Sequence, residues 1–128
     1  MYQALLVAVG GSLGALARYG LSTSVLTSAH DVVPWGTLAV NLIGSFLVGG
    51  LVELFDHVIV PPHVRALVTI GFLGAFTTFS TYALETINLL RDGEFRLAGI
   101  NILANNILAL VLVIVGIYCT RALIKFVS

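Results

Sequence analysis

GFLGAFTTFSTYALE, residues 71–85, lies inside an apolar stretch long enough to cross a membrane, yet its middle carries Thr77, Thr78, Ser80 and Thr81, with Phe79 and Tyr82 among them. Lipid offers no partner for a hydroxyl or for backbone released from a helix. Such a patch must be buried in protein or line a polar cavity. Serine and threonine can bond back to the preceding helical turn, which would make the patch merely structural. Four hydroxyls within five residues, beside Gly71, Gly74, Phe79 and Tyr82, favour a functional role.

Working outward, the composition agrees with a membrane setting. The 128 residues are 59% hydrophobic and only 9% charged, where soluble domains carry about 25% charged residues. Formal net charge is zero, which gives no reason to expect nucleic acid as a partner. The lone Cys119 excludes a disulfide framework or a cysteine-only metal site within one chain. Residues 1–3 hold no basic cluster and the apolar run behind them contains Arg18, a poor signal-peptide pattern.

A spanning helix needs about 20 mostly apolar residues. Four stretches qualify: 3–26, 35–55, 64–90 and 97–126. The links between them are 27–34, with His30 and Asp31; 56–63, with Pro61-Pro62; and 91–96, where Asp92-Gly93 marks a turn. The expectation is an all-α membrane protein, one four-helix domain over 1–128, up-and-down, with both termini on one side. Arg121 and Lys125 near the end can snorkel to the interface.

Lysine and arginine in loops normally set orientation. Here Arg65, Arg121 and Lys125 on the termini side face Arg91 and Arg96 on the other, with Arg18 placed ambiguously. So small a bias allows insertion both ways, and hence an antiparallel homodimer. Small residues give close-packing faces: Gly10 and Gly14, Gly11 and Ala15, then Gly44, Ser45, Gly49 and Gly50. They serve packing within one chain or between two.

Several polar groups sit at depths where lipid would surround them. For Arg18, snorkelling or a helix-end contact stands beside an anion-attracting charge in a vestibule. Asn41, Asn101, Asn105 and Asn106 read singly as bonds between helices, and together as a shared pathway. Asn101 and Asn105 share a helix face, with Asn106 about 100° further round. Glu85 is the one carboxylate deep in a predicted span; a proton or cation role and a structural hydrogen bond both stand open. Glu53 and Asp56 read as solvated at a helix end. His30, His57 and His63 read as loop residues with no metal-site spacing. No nucleophile, base and oxyanion-donor set can be assembled, so an enzyme is not expected.

GGSLGALARY (10–19), GTLAVNLIGSFLVG (36–49) and GFLGAFTTFSTYALE together resemble the Fluc (CrcB) family of fluoride channels, in motif order, helix count and length. The resemblance implies an antiparallel, dual-topology homodimer with two fluoride pores, in the cell inner (plasma) membrane, and a break near the middle of the third helix. It implies a structural sodium ion held by the backbone carbonyls of Gly74 and Thr77 from both subunits. Asn41, Phe79, Ser80, Thr81, Tyr82, Glu85 and Asn105 would border the fluoride pathway, with Arg18 a vestibule or structural residue. Net flow would be passive and outward, lowering intracellular fluoride. Two positions depart from the pattern: Tyr82 stands where a second phenylalanine is usual, and Ala109 aligns with a frequent serine.

The physics suits such a role. Fluoride is small and strongly hydrated, so its passage needs donors that replace water yet release the ion. Aromatic ring edges carry the positive part of the quadrupole and can face an anion. The rival reading is a proton-coupled small-molecule exporter of the small multidrug type. That reading expects a carboxylate in the first helix, which here offers only Arg18. A non-transporting assembly subunit is a third reading.

Overall fold

The structure, a computed structural model, describes residues 2–28 and 34–127, with backbone alone for 26–28. His30 and Asp31 lie outside the described residues. Helix α1 is Tyr2–Ser28 and α2 is Trp35–His57. The third span, Pro62–Arg91, is two helices: α3, residues 62–76, and α4, Phe79–Arg91. Helix α5 runs over Phe95–Val127. The four spans are long and apolar enough to cross a membrane, and each lies within a few residues of its expected limits.

Local chemistry explains the ends. Val58 is extended, at φ −124° and ψ 136°, which stops α2. Pro62 then occupies the start of α3, where its missing N–H costs nothing. Between α4 and α5, Gly93 takes φ 79°, the left-handed conformation glycine adopts freely. Gly93 and Glu94 donate back to the Leu90 and Leu89 carbonyls at 3.2 and 2.8 Å, closing the end of α4. This link is shorter than expected, since Phe95 already begins α5 and Arg96 is helical. Wider π-helical turns occupy Ala66–Leu73 in α3 and Ala104–Leu108 in α5.

The helices pack as two glycine-lined pairs. Gly10 and Gly14 of α1 press against the α3 backbone at Leu67, Gly71 and Phe72, with no room for a side chain. Gly49 of α2 meets the Val113 backbone of α5, and Gly116 meets that of Phe46. The small-residue faces are thus largely used inside one chain. Tyr2 meets His63 edge-on, with ring centroids 6.0 Å apart, so the N-terminus and the second link share one end of the bundle.

That end also revises three expectations. Glu53 is buried rather than solvated, because Arg121 of α5 grips both its oxygens, at 2.8 and 2.9 Å. His57 is the last residue of α2, its Nδ1 2.9 Å from the Glu53 carbonyl, and not a loop residue. His63 lies in the first turn of α3. Asp56 is exposed. Arg65 binds the Phe55 carbonyl and covers the Phe55 ring, 5.2 Å from its centroid, tying α3 to the end of α2.

Candidate functional site

Between α3 and α4 the chain leaves helical geometry for two residues, Thr77 at φ −82°, ψ 156° and Thr78 at φ −150°, ψ 116°. A break at mid-span frees backbone groups that lipid cannot satisfy. The Asn41 side chain of α2 supplies what Thr78 lost. Thr78 N–H donates to Asn41 Oδ1 at 2.8 Å, and Asn41 Nδ2 donates to the Thr78 carbonyl at 3.1 Å. One amide thereby replaces the acceptor that Thr78 N–H lost and adds a donor to the carbonyl that begins α4. The Thr78 hydroxyl caps α4 by accepting from Thr81 N–H at 3.3 Å, with Thr81 Oγ1 2.9 Å away.

The same exchange releases two carbonyls. In an unbroken helix the N–H of residue i is aimed at the carbonyl of residue i−4. Thr78 and Thr81 would thus serve Gly74 and Thr77, but their N–H groups go to Asn41 and to the Thr78 hydroxyl. Gly74 is also exposed. The Gly74 and Thr77 carbonyls thus lose the donors that a continuous helix would give them.

From Asn41 a directed chain of donors runs through the protein. Asn41 Nδ2 donates to Asn105 Oδ1 at 2.8 Å; Asn105 Nδ2 donates to Asn101 Oδ1 at 2.9 Å and to the Asn101 carbonyl at 3.1 Å. Asn101 Nδ2 donates to Thr86 Oγ1 at 2.9 Å, and Thr86 donates to the Tyr82 carbonyl at 2.8 Å. The carbonyls fix the sense of the amides, because a carbonyl only accepts. Asn101 and Thr86 are buried, so these bonds face no competition from water. Both Asn41 N–H groups are committed within the protein, and in this arrangement Asn41 is a strut rather than a free donor.

Beside the break lies a groove of about 350 Å³, lined by Asn41, Ser45, Gly74, Thr77, Thr78, Phe79, Tyr82, Asn105, Asn106 and Ala109 among others. Phe79 and Tyr82 meet edge to face, centroids 5.2 Å apart at 69°. Tyr82 is 8% exposed, whereas Phe79 is 74% exposed at the lip. A second cavity of about 230 Å³ touches the other side of Thr78 and is lined by Arg18, Tyr19, Ser22, Thr37 and Thr81 among others.

The structure thus divides the expected site residues. Asn41, Phe79, Tyr82 and Asn105 share the groove with Gly74 and Thr77. Arg18 and Thr81 border the second cavity. Ser80 is exposed, its hydroxyl 3.4 Å from that of Thr78, and lines neither cavity. Glu85 lines neither as well; it accepts from the Thr37 hydroxyl at 2.6 Å through Oε1, while its buried Oε2 has no partner among the described residues.

Residues that the sequence reading did not single out are Thr37, Thr86 and the capping role of Thr78, and Ser45 was read only as part of a packing face. Thr37 could have been found, since it lies four residues before Asn41 and so shares its face of α2. Asn106 reaches the groove beside Asn105 because both sit in the π-helical turn Ala104–Leu108. Such turns often mark functional sites, but regular helical spacing does not reveal them.

Comparison with known proteins covers nearly the whole chain. Residues 5–117 match the family model described as CrcB-like protein, Camphor Resistance (CrcB). A protein of Salinibacter ruber named fluoride-specific ion channel FluC is 46% identical over 124 residues, 97% of this chain and 93% of its own length. Proteins of the same name from Magnetococcus marinus and Geobacter sulfurreducens are each 47% identical, over 90% and 96% of this chain and 94% and 100% of their own lengths.

Proposed function

This chain belongs to the CrcB-like family, and on that premise we propose that it is a fluoride-selective channel, passively letting fluoride leave the cell and so lowering its internal level. It is a multi-pass protein of the plasma membrane, a conduit and not an enzyme. The observation that carries the reading is near full-length similarity to proteins named fluoride-specific ion channels. The groove at the third-span break supports it with ring edges and hydroxyls at a depth where a simple anchor would be apolar. The N-terminus of α4 opens at the same break, with backbone N–H groups suited to an anion. The exporter reading has no supporting observation, since α1 offers Arg18 and no carboxylate.

A homodimer belongs to the proposal. One chain leaves Gly74, Phe79, Ser80 and Thr81 exposed around broken backbone, which lipid does not tolerate. A second copy seated there would cover them. The near-balanced basic residues, Arg65, Arg121 and Lys125 against Arg91 and Arg96, suit two copies inserted in opposite senses.

The carbonyls of Gly74 and Thr77, relieved of their helical donors, fit a hard cation such as sodium. Unwound carbonyls at half-helix ends are known sodium ligands. Two such oxygens per chain make four in a dimer. A bound sodium would supply positive charge and cohesion at the junction, while Asn41 and Thr78 keep the carbonyls free.

Liposomes loaded with potassium fluoride, given a potassium ionophore and followed with a fluoride electrode, test the function. Fast release without a proton requirement, and no comparable chloride release, is expected. Absence of release from well-folded protein would sink the reading. Cross-linking in membranes tests the dimer. Thermal stability rising with sodium but not with potassium tests the cation, and indifference to both removes it.

A further inference from the structure

We propose that Asn106 aims the Tyr82 hydroxyl into the groove, making it a fluoride-binding donor in this chain; this rests on the channel reading above. Asn106 Nδ2 lies 2.8 Å from the Ile102 carbonyl and 3.0 Å from the Tyr82 phenol oxygen. The Ile102 carbonyl can only accept, so the amide cannot be turned over. The nitrogen therefore donates one hydrogen to Ile102 and the other to Tyr82. The phenol oxygen is the acceptor of that bond, and its own hydrogen is left over. Among the described residues nothing accepts it.

The groove is short of other side-chain donors. Asn41 spends both N–H groups on Thr78 and Asn105, and Asn105 spends its own on Asn101. The Thr77 hydroxyl goes to the Leu73 carbonyl at 3.1 Å, and that of Thr78 is engaged with Thr81. What faces the groove with a hydrogen to give is Tyr82 and the smaller Ser45. The Tyr82 ring is more than nine-tenths buried, so its donor is held in place. A hydrogen bond to an ion is about twice as strong as one between neutral groups. Accepting from Asn106 polarises the phenol further toward donation. Tyr82 thus gives an anion a proton donor beside the ring edge of Phe79, while Asn106, which points its own hydrogens elsewhere, is a positioning residue.

The test is conductance in planar bilayers as fluoride activity is raised. Tyr82→Phe keeps the ring and removes the donor. It should raise the half-saturating fluoride activity about tenfold, the equivalent of about 1.4 kcal/mol, while conductance at saturation changes little. Asn106→Leu should shift half-saturation in the same direction. Tyr82→Phe with Asn106→Leu should behave as Tyr82→Phe alone, because the second change acts only through the first. Should Asn106→Leu fail to purify, Asn106→Ser, too short to hold the phenol, takes its place in the cycle. Unchanged half-saturation in Tyr82→Phe overturns the inference while leaving the channel reading intact. Additive effects in the double variant would reduce Asn106 to a general structural residue and overturn its role. A wild-type protein that conducts no fluoride overturns both.

Discussion

Helix α1 meets α3, and α2 meets the C-terminal half of α5, through bare glycines: Gly10, Gly14 and Gly71 on one side, Gly49 and Gly116 on the other. Helix α4 meets α2 and the first half of α5 differently, through Thr37 and Glu85, Asn101 and Thr86, Asn106 and Tyr82. Glycine contacts bring backbones together, expel lipid and leave nothing polar to satisfy. Amide and hydroxyl contacts hold helices a side chain apart, and the space beside them is the groove. The first region sets where the helices stand. The second sets what the space between them accepts.

The largest effect should come from filling the glycine contacts. A Cβ on Gly14 would fall against the Phe72 carbonyl, with Phe72 Cα 3.0 Å away; on Gly116 it would fall against Phe46, with the Gly50 nitrogen at 2.9 Å. These are backbone atoms and cannot swing aside. Gly14→Val and Gly116→Val should each cost about 3 kcal/mol or more, at the upper end of overpacking penalties. The expected outcome is aggregation or loss from the membrane, read by size-exclusion chromatography. A monodisperse Gly14→Val protein at wild-type yield would mean that α1 and α3 can part without harm.

Next comes the strut at the break. Asn41→Leu leaves the N–H of Thr78, a buried residue, and the Oδ1 of Asn105 without partners. Each orphan costs about 1–3 kcal/mol, and the break would close or collapse to relieve it. Fluoride efflux should fall at least about 100-fold in protein that still purifies. Asn41→Asp keeps an acceptor for Thr78 N–H but no donor for its carbonyl, so it should fall between. Equal efflux from Asn41→Leu and wild type would show that the break stands without this amide.

The reading of the chain from sequence divides along the same line. Spans, links and the odd polarity of residues 71–85 were legible because apolar length and local punctuation are properties of contiguous sequence. Glycine faces were legible too, since regular helical spacing reveals them; that Gly10 finds Leu67 rather than a second copy was not. Polar pairings were illegible for a stronger reason. Asn41 needs Thr78 and Asn105, which are 37 and 64 positions away, and only the tertiary fold chooses between partners of equal chemistry. Glu53 looked solvated because Arg121, 68 positions on, is invisible to local pattern. The role of Asn106 depends on a π-helical turn that helical periodicity does not anticipate.

A milder cut tests the depth of the amide chain. Asn101→Leu removes one middle link, yet Thr86 keeps its bond to the Tyr82 carbonyl, and Asn105 keeps the backbone carbonyl of residue 101. A single hydrogen bond between membrane helices is worth about 0.6 kcal/mol. Efflux should therefore drop roughly threefold, the equivalent of about that energy, with folding retained. A collapse as deep as that of Asn41→Leu would make the chain one cooperative unit, and the division between strut and supports would go.

The smallest effect sharpens the meaning of glycine itself. Gly20 in α1 and Gly99 in α5 lie in helices, yet a Cβ at either would meet nothing within 4 Å. If glycine serves here only where backbones touch, these two carry the usual cost of conformational freedom and give nothing back. Gly99→Ala should then stabilise the protein slightly, by about 0.5–1 kcal/mol, and leave efflux unchanged. Thermal unfolding in detergent alongside the efflux assay reads both quantities. Lost stability would mean that Gly99 meets a backbone beyond the single chain, as Gly14 meets one within it. The glycine contacts would then extend to a part of α5 that meets no backbone within the chain, where α4 and α5 otherwise pair through amides and hydroxyls.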